Sequence, residues 1–448
     1  MIYSEVHIVL TLLTVSSGWA LWSRYKDGRL LTPAGGLHLQ VLTFFGLGGF
    51  CFAHFSAGEP LLTHAYILRE IEHCCWPLLL GYGIALAIER RLLRRSSRVE
   101  MLMAYARTFT PNIVFLFALL GFAGCFLEDA KLSGLGSIPA YFKNLFFPCL
   151  LIAIVSARSH GAAGRLQSAL IVLMATYIGI WSGWRSVLIM ISATILLAVG
   201  LVRRISLPVV VLVGVFIMGV LIPFQNVKRA NYKAFQENPI GVLQNSLEKG
   251  IIERWQEVGE FVAARIDYVR ELVYVNRAVE AGMPLQGGKT YLDALYQMVP
   301  RMLWRDKPQM SRWSGYDLPR MVGLLEERDK HTSWAVNMFA EATYNYGLWC
   351  LLWFVPLVFL LAEGIERLVD RFLKTPQAAV MSNVSLFYLF LGQVGMIFGV
   401  TMVISVVVVG KAIDYGLLAV LRGAAKKSRT MVEERPSCNT SGKFPVRK

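Results

Sequence analysis

Residues 346–363 read YGLWCLLWFVPLVFLLAE, an apolar stretch whose one charged side chain is Glu363. About 20 such residues, coiled as a helix, cross the roughly 30 Å hydrocarbon core of a bilayer. Similar stretches recur along the 448-residue chain, which is 55% hydrophobic and 17% charged and has a mean hydropathy of +0.50. This composition lies outside the range of soluble domains and predicts a polytopic membrane protein.

The same criterion predicts an all-α membrane bundle of about eleven transmembrane helices. Eight of these spans fall in residues 1–224 and three in residues 346–421. The third predicted span is short, and the last two are separated only by a bend that contains Gly399. The approximate cores are 5–23, 38–55, 74–89, 109–127, 140–157, 166–181, 186–202, 205–223, 346–363, 382–398 and 400–421.

Lysine and arginine collect in every second connection between the predicted spans, for example at Arg90, Arg91 and Arg94. With eleven spans these connections all lie on one side, which the positive-inside rule makes cytoplasmic. The N-terminus is then periplasmic, and residues 422–448 form a basic cytoplasmic tail. Cytoplasmic loops of this kind account for the net charge of +15. No basic stripe with interleaved aromatic residues points to nucleic acid.

The long hydrophilic segment 225–345 interrupts the spans and is predicted to be a periplasmic cap over the bundle. Its many aromatic and aliphatic residues distinguish it from a disordered linker. Apolar residues recur at steps of three and four from about 241 to 281, which predicts a long helix. Gly282 and Pro284 follow the last apolar position and are expected to end it.

Two further helices are predicted in the cap. Gln286-Gly287-Gly288 is typical of a turn, and residues 289–298 then form a short helix that ends before Pro300. Residues 331–345 are predicted to form a third helix that runs directly into the next span.

Arginines on the periplasmic side are the first candidates for chemistry. Arg185 lies in an outer turn between two tryptophan-flanked spans, where arginine is uncommon, and its guanidinium suits phosphate oxygens. The alternative is an interfacial anchor. Arg265 and Arg270, on the long cap helix, are also candidate anion ligands. Most other charged residues of that helix are better explained as a solvated helix face with salt bridges.

A denser group lies between two prolines at 300 and 308. It holds Arg301, Trp304, Arg305 and Lys307. Because proline restricts the backbone, these charges are expected to be held in place for an anionic ligand that carries a sugar. Binding of lipid headgroups by an interfacial basic loop is the alternative.

His331 is a candidate general base, because histidine accepts a proton near neutral pH. Glu341 follows ten residues later, about 15 Å along a helix. One of the two is expected to be the base, and the other to orient an arginine. Lys411 and Asp414 form a further charged pair inside the last predicted span, for which self-neutralisation and function both stay open.

These segments resemble the Wzy-type O-antigen and polysaccharide polymerases and, more distantly, the O-antigen ligases. The resemblance rests on the turn SGWRS at 182–186 and on GKTY at 288–291 followed by VPR at 299–301 and WRDKP at 304–308. It also rests on His331 followed by Glu341 and by NYG at 345–347. Residues 309–330 match no part of the family pattern.

The resemblance implies transfer of a glycan between undecaprenyl-diphosphate-linked oligosaccharides at the periplasmic face of the bacterial inner membrane. It implies no metal, no nucleotide sugar and no other cofactor, and a chain-length regulator protein as a possible partner. The seven cysteines have no metal-site spacing. Carried onto this sequence, the diphosphate ligands are Arg185, Arg301, Arg305 and Lys307, the catalytic residues are His331, Glu341 and Arg185, and the other substrate contacts are Tyr291, Trp304, Asn345 and Tyr346.

Three alternatives stay open. An O-antigen ligase would use the same donor but transfer it to lipid A core, and the Lys307-Pro308 group favours the polymerase over it. A transporter of lipid-linked glycans would be expected to show internal repeats, and none is evident. A lipid-phosphate-dependent glycosyltransferase would place its acidic base in the first outer loop, where Glu59, Glu70 and Glu72 occur.

Overall fold

The structure is a computed structural model, and it describes nine segments of the chain together with isolated residues between 191 and 199, at 238 and between 403 and 415. Every regular element within these residues is a helix, as the sequence predicts. The segments are 2–27, 29–55, 64–92, 111–129, 138–157, 160–181, 268–292, 317–325 and 336–391.

Twelve α-helices are labelled here, in chain order, within that part of the chain. They are α1 (Ile2–Lys26), α2 (Pro33–Gln40), α3 (Gly48–Phe55), α4 (His64–Leu92), α5 (Pro111–Asp129), α6 (Ile138–Ser156), α7 (Ala162–Trp181), α8 (Tyr268–Glu280), α9 (Leu318–Met321), α10 (Met338–Tyr346), α11 (Leu351–Phe372) and α12 (Pro376–Leu391). A π-helix (Val41–Leu47) joins α2 to α3, and a 3₁₀-helix (Leu348–Cys350) leads into α11.

Five helices in the described residues are long and apolar enough to cross a membrane, as expected for a helical membrane protein. Two shorter apolar helices accompany them, in α5 and α6. The predicted span at 205–223 lies outside the described residues, and so do most residues of the spans at 186–202 and 400–421, so the total of eleven stays a prediction. The five are Glu5–Lys26, Pro33–Ala53, Tyr66–Arg91, Ala162–Gly179 and Leu348–Phe372.

The prediction of a short third span and a loop at 56–73 is wrong, because α4 already begins at His64. Its polar first turns contact the cap helix α8. His73 Nε2 lies 3.3 Å from Glu280 Oε1, and the Arg277 guanidinium lies 5.6 Å from the centre of the Tyr66 ring. The helix therefore begins ten residues before the apolar stretch from which the span was predicted, and these added turns contact the cap helix.

The second span is one continuous helix whose middle part is a π-helix. Thr32 caps α2 by accepting a hydrogen bond from the Gly35 N–H at 3.3 Å, and Pro33 occupies the first helical position, where no N–H is needed. The π-helix then places Gly46 directly against Thr14 of α1, where a larger residue would collide. Wider winding of this kind is often found at functional sites.

The prediction that residues 331–345 form a helix continuous with the next span is wrong in the residues that the structure describes. Asn337 caps α10, since its side chain accepts from the N–H groups of Phe339 and Ala340 at 3.0 and 2.9 Å. Gly347 ends α10 with φ at +80°, in the left-handed region that favours glycine. The cap and the span are therefore separate helices that meet at this glycine.

The predictions for 268–292 are largely confirmed. The first cap helix ends at Glu280, and Gly282 follows with φ at +101°. Gly287 and Gly288 form the predicted turn with φ at +57° and +87°, and the chain is helical again over 289–292. The parts of the predicted helices at 241–267 and 293–298 lie outside the described residues.

Two apolar cores hold the described helices together. The first is formed by side chains of α1 to α4, α8, α10 and α11, so it joins the cap to the membrane helices. The second is formed mainly by α5, α6, α7 and α12. Leu31 and the C-terminal end of α11, through Val369 and Leu373, also belong to the second core.

Lys411 and Asp414 connect α11 to α12. The buried Asp414 carboxylate accepts from the backbone N–H groups of Lys374 and Thr375 at 3.1 and 2.7 Å, which is the role of a cap at the start of α12. Lys411 Nζ donates to Asp414 at 3.0 Å and to the last carbonyl of α11, Phe372 O, at 2.8 Å. Of the two roles left open for this pair, these contacts favour the structural one.

Candidate functional site

Two groups of buried polar side chains lie at opposite ends of the helix that contains Leu348–Phe372. At its N-terminal end, where Trp349 and Trp353 are exposed, a group that we call the polar network joins the cap to the span. Towards its C-terminal end lies a group that we call the charged cluster. The polar network is Glu271, Thr290, Asn337, Glu341 and Asn345, and the charged cluster is Arg24, Arg29, His38, Glu89, Glu363 and Glu366.

Asn345 fixes the glycine turn of the cap to the end of α10. Its Oδ1 accepts from the Gly288 N–H at 3.0 Å, and its Nδ2 donates to Thr290 Oγ1 at 2.7 Å and to Glu341 O at 2.8 Å. The backbone adds a bond from the Gly287 N–H to Asn345 O at 3.0 Å. Because Gly288, Thr290 and Asn345 are buried, leaving one of their polar groups unpaired would cost about 1–3 kcal/mol. The turn therefore has a fixed position over α10.

The beginning of α10 is fixed in a similar way by Glu271 of the cap helix. Glu271 Oε2 accepts from both the backbone N–H and the side-chain Nδ2 of Asn337, each at 2.7 Å. Asn337 Nδ2 also lies 3.3 Å from Tyr268 O. One carboxylate thus orients the capping asparagine, and both ends of α10 are attached to the segment 268–290.

Glu341 lies in the first turn of α10 and is completely buried. A carboxylate near a helix N-terminus is favoured by the helix dipole. Burial, together with the nearby Glu341 charge, raises the pKa of the Tyr291 phenol well above its usual range, so Tyr291 stays protonated.

The structure brings together four of the predicted site residues. Glu341, Asn345, Tyr291 and Tyr346 all lie around the Gly288 turn, and the Tyr346 hydroxyl occupies the position where a side chain at 288 would be. The centres of the Tyr291 and Tyr346 rings are 6.1 Å apart, and Tyr346 is 5.5 Å from Trp353. A half-exposed aromatic surface therefore borders the polar network at the end of the span.

Among the remaining predicted site residues, Arg270 is described by the structure but does not belong to this group. The Arg270 guanidinium lies 5.5 Å from the Tyr274 ring on the cap helix, where it makes a cation–π contact. The other predicted residues lie outside the part of the chain that the structure describes. These are Arg185, Arg265, Arg301, Trp304, Arg305, Lys307 and His331.

The charged cluster was not predicted from the sequence. Arg24 Nε donates to Glu89 Oε1 at 2.6 Å, Arg24 Nη1 donates to Thr32 Oγ1 at 2.8 Å, and Arg24 Nη2 also bonds Glu363. Arg29 Nη2 contacts Glu363 Oε2 at 2.9 Å and Glu366 Oε2 at 3.0 Å. In the sequence, Arg24 and Arg29 belong to one of the basic connections from which the positive-inside rule predicts the cytoplasmic side.

His38 connects this cluster to an aromatic wall. Its Nε2 lies 2.7 Å from Glu89 Oε2 and its Nδ1 lies 2.6 Å from the Tyr82 hydroxyl, and the ring centre is 4.8 Å from that of Phe359. The sequence feature that could have indicated this cluster is a histidine and three carboxylates within or at the ends of apolar stretches. Such residues are costly in a membrane and are therefore expected to be paired there. Among the described residues, no group of His, Cys, Asp and Glu is placed to hold a metal ion.

Comparison of the chain with protein-family models, with curated proteins and with solved structures found no match.

Proposed function

We propose that the protein is a polysaccharide polymerase that joins undecaprenyl-diphosphate-linked oligosaccharide repeat units at the periplasmic face of a bacterial inner membrane. The observation that carries the proposal is the polar network. It fixes the GKTY turn and the NYG segment, two of the segments that resemble the polymerases, against each other at the end of a membrane span. The proposed donor is a membrane lipid whose diphosphate lies at that depth.

The proposed chemistry needs cations and a base. The leaving group is a diphosphate, and arginines stabilise its developing charge without a metal. Arg185, Arg301, Arg305 and Lys307 are the proposed ligands for it. His331 is the proposed base, which takes the proton from the acceptor hydroxyl as that oxygen attacks the sugar carbon and the diphosphate departs.

For Glu341, complete burial supports a positioning role over that of a base. It lies one turn before Asn345, whose side chain bonds the Glu341 carbonyl. A base must come within hydrogen-bonding distance of the hydroxyl that it deprotonates. We therefore assign the proton transfer to His331 and the orientation of the turn to the Glu341 region.

The test is reconstitution of the full chain in liposomes with a lipid-diphosphate-linked repeat unit and no metal or nucleotide sugar. A ladder of glycan lengths is the expected result. His331→Ala and Arg185→Lys should lose most of the ladder, the second because lysine lacks the planar guanidinium. Arg165→Lys, on the exposed surface of α7, is the matched control for the arginine and should keep the ladder.

Two other outcomes would replace the proposal. Transfer that occurs only after lipid A core is added would make the protein a ligase. Normal turnover by His331→Ala would move the base elsewhere, and Glu341→Gln against the exposed control Glu280→Gln would then test Glu341.

A transporter of lipid-linked glycans is the second candidate function, and the charged cluster is the observation that favours it. Buried ionisable residues in membrane segments often mark an ion or proton pathway. Movement of the lipid-linked donor across the liposome membrane, with no glycan joined in any condition, would support the transporter and contradict the polymerase.

A further inference from the structure

Three membrane helices end close together on the side of the charged cluster. Arg24, near the end of α1, bonds both Glu89, near the end of α4, and Glu363, in the second half of α11. Because these three side chains are buried, their bonds hold the ends of the helices together. We call the exposed surface around these ends the basic rim. It consists of Trp22, Tyr25, Lys26, Arg90, Arg91, Leu368, Arg371, Phe372 and Lys374.

The basic rim has an excess of positive charge. Its five cations are exposed, and none of them forms an ion pair with a carboxylate among the described residues. Arg367, beside them on α11, is also exposed, whereas the acids next to the rim in the described sequence are the exposed Asp27 and the half-buried Asp370. The carboxylates of the charged cluster are directed inward, to Arg24 and Arg29. The field that leaves this end of the bundle is therefore positive.

Large apolar side chains lie among these cations. Trp22 and Phe372 are each 56% exposed, and Leu368 is 47% exposed. The rings of Trp22 and Tyr25 stack with their centres 5.7 Å apart, and Lys26 Nζ lies 5.2 Å from the centre of the Trp22 ring. A partner that covers the rim must therefore offer both negative charge and apolar surface.

The rim also lies at the depth where a bilayer would end. Phe372 follows Trp349, the exposed tryptophan at the other end of the same span, by 23 residues, which is about 35 Å along a helix. The hydrocarbon core of a bilayer is about 30 Å thick. The two ends of α11 therefore match the two boundaries of the bilayer, and the basic rim surrounds one of them.

A bilayer surface supplies both groups that the rim needs. Tryptophan and tyrosine are enriched at the level of the headgroups, and lysine and arginine lay their apolar stems along the acyl chains while their charges reach the phosphates. An acidic soluble protein would match the cations but offers no hydrocarbon for Leu368 and Phe372. A second copy of the chain would bring two positive rims together.

We propose that the basic rim binds the anionic headgroups of phospholipids in the leaflet at this end of the bundle. The guanidiniums of Arg90, Arg91 and Arg371 suit phosphate oxygens, to which they can donate two parallel hydrogen bonds. The sequence predicts this end to be cytoplasmic, and the cytoplasmic leaflet is the one that carries a negative surface potential. The proposal does not depend on glycan transfer.

Electron spin resonance of spin-labelled lipids tests the proposal on the full chain in phosphatidylcholine vesicles. The immobilised fraction of a labelled lipid reports its association with the protein surface. Labelled phosphatidylglycerol should associate about fivefold more strongly than labelled phosphatidylcholine, the factor expected for one cation near an anionic surface. Arg90→Gln with Arg91→Gln, and separately Arg371→Gln with Lys374→Gln, should each bring this ratio towards one.

The matched control is Arg69→Gln with Arg277→Gln, which removes two exposed arginines at the opposite end of α4 and on the cap helix, and it should keep the ratio. Equal association of the two lipids with the wild type, or an equal loss in the control, would overturn the proposal. A further arm compares sodium phosphate with sodium chloride at equal ionic strength. If phosphate releases more labelled phosphatidylglycerol than chloride does, the rim binds the free anion and the lipid is not its specific partner.

Discussion

The charged cluster and the polar network are both buried at ends of the same membrane helix, but they are built from different groups. In the cluster, ionised side chains bond to each other across 65 to 339 residues of sequence. In the network, a side-chain amide bonds mainly to backbone N–H and carbonyl groups and to a hydroxyl. The first connects whole helices, whereas the second fixes the local position of a turn.

This difference predicts different consequences of mutation. Removing one ion from the cluster leaves an opposite charge buried without its partner, which is among the costliest changes in a protein. Removing one member of the network leaves a neutral N–H or C=O unpaired, which costs less. The cluster should therefore determine whether the helices assemble, and the network whether the cap is correctly placed.

Arg24→Met should have the largest effect. It leaves Glu89 and Glu363 without their shared guanidinium and should lower the free energy of unfolding by about 3–5 kcal/mol. Lys26→Met is the control, because Lys26 is exposed at the end of the same helix and its Nζ lies 5.2 Å from the centre of the Trp22 ring. Denaturant unfolding in mixed micelles measures the free energy of unfolding of both variants. Equal losses in Arg24→Met and Lys26→Met would contradict the distinction between the two regions.

Asn345→Leu should have a smaller effect, of about 2 kcal/mol, because it leaves the Gly288 N–H and Thr290 without their partner. The loss should be local. Hydrogen exchange at the Gly288 amide should accelerate, while the amides of α4 keep their protection. The control is Gln286→Leu, because the side-chain amide of Gln286 donates to the nearby Pro284 carbonyl at the surface. General acceleration in Asn345→Leu would refute the local role.

The two regions also differ in how far the sequence predicts them. The turn at 286–288 and the end of α8 were predicted, because glycine and proline act on the local backbone. The break at Gly347 was not predicted. Its neighbours are apolar and helical, and only the left-handed φ shows why a glycine stands there.

The charged cluster was missed for a different reason. Arg24 and Arg29 are close to the end of a span, where basic residues ordinarily indicate the cytoplasmic side. Nothing local in the sequence shows that Arg24 meets Glu363, since that contact depends on how α1 and α11 pack. The three glutamates and His38 in apolar surroundings were the available signal, and they could indicate a buried ionic group but not its pairing.

Gly347→Ala tests the junction between the cap and the span. With φ at 80° and ψ at 167°, Gly347 lies in a region that essentially only glycine adopts, so alanine there costs about 1–3 kcal/mol, although no other group occupies the space that its Cβ would fill. Gly364→Ala, in the middle of α11 with similar free space, should instead stabilise by about 0.5–1 kcal/mol. Opposite signs in the free energy of unfolding are expected, and a loss of the same size in both would mean that the φ at Gly347 is not the cause.

Tyr291→Phe tests the electrostatics of the polar network and should have the smallest effect. Burial first, and then the Glu341 charge, raise the pKa of the folded-state phenol above the unfolded value of about 10. The stability from this phenol is therefore complete below pH 10 and is lost as the pH rises further, by about 0.8 kcal/mol at pH 10.5. Tyr291→Phe should remove that part of the alkaline loss. If unfolding measured from pH 9 to pH 10.5 gives Tyr291→Phe the wild-type slope, the phenol does not lie in a buried, negatively charged environment, and the polar network would lack the electrostatic character that we assign to it.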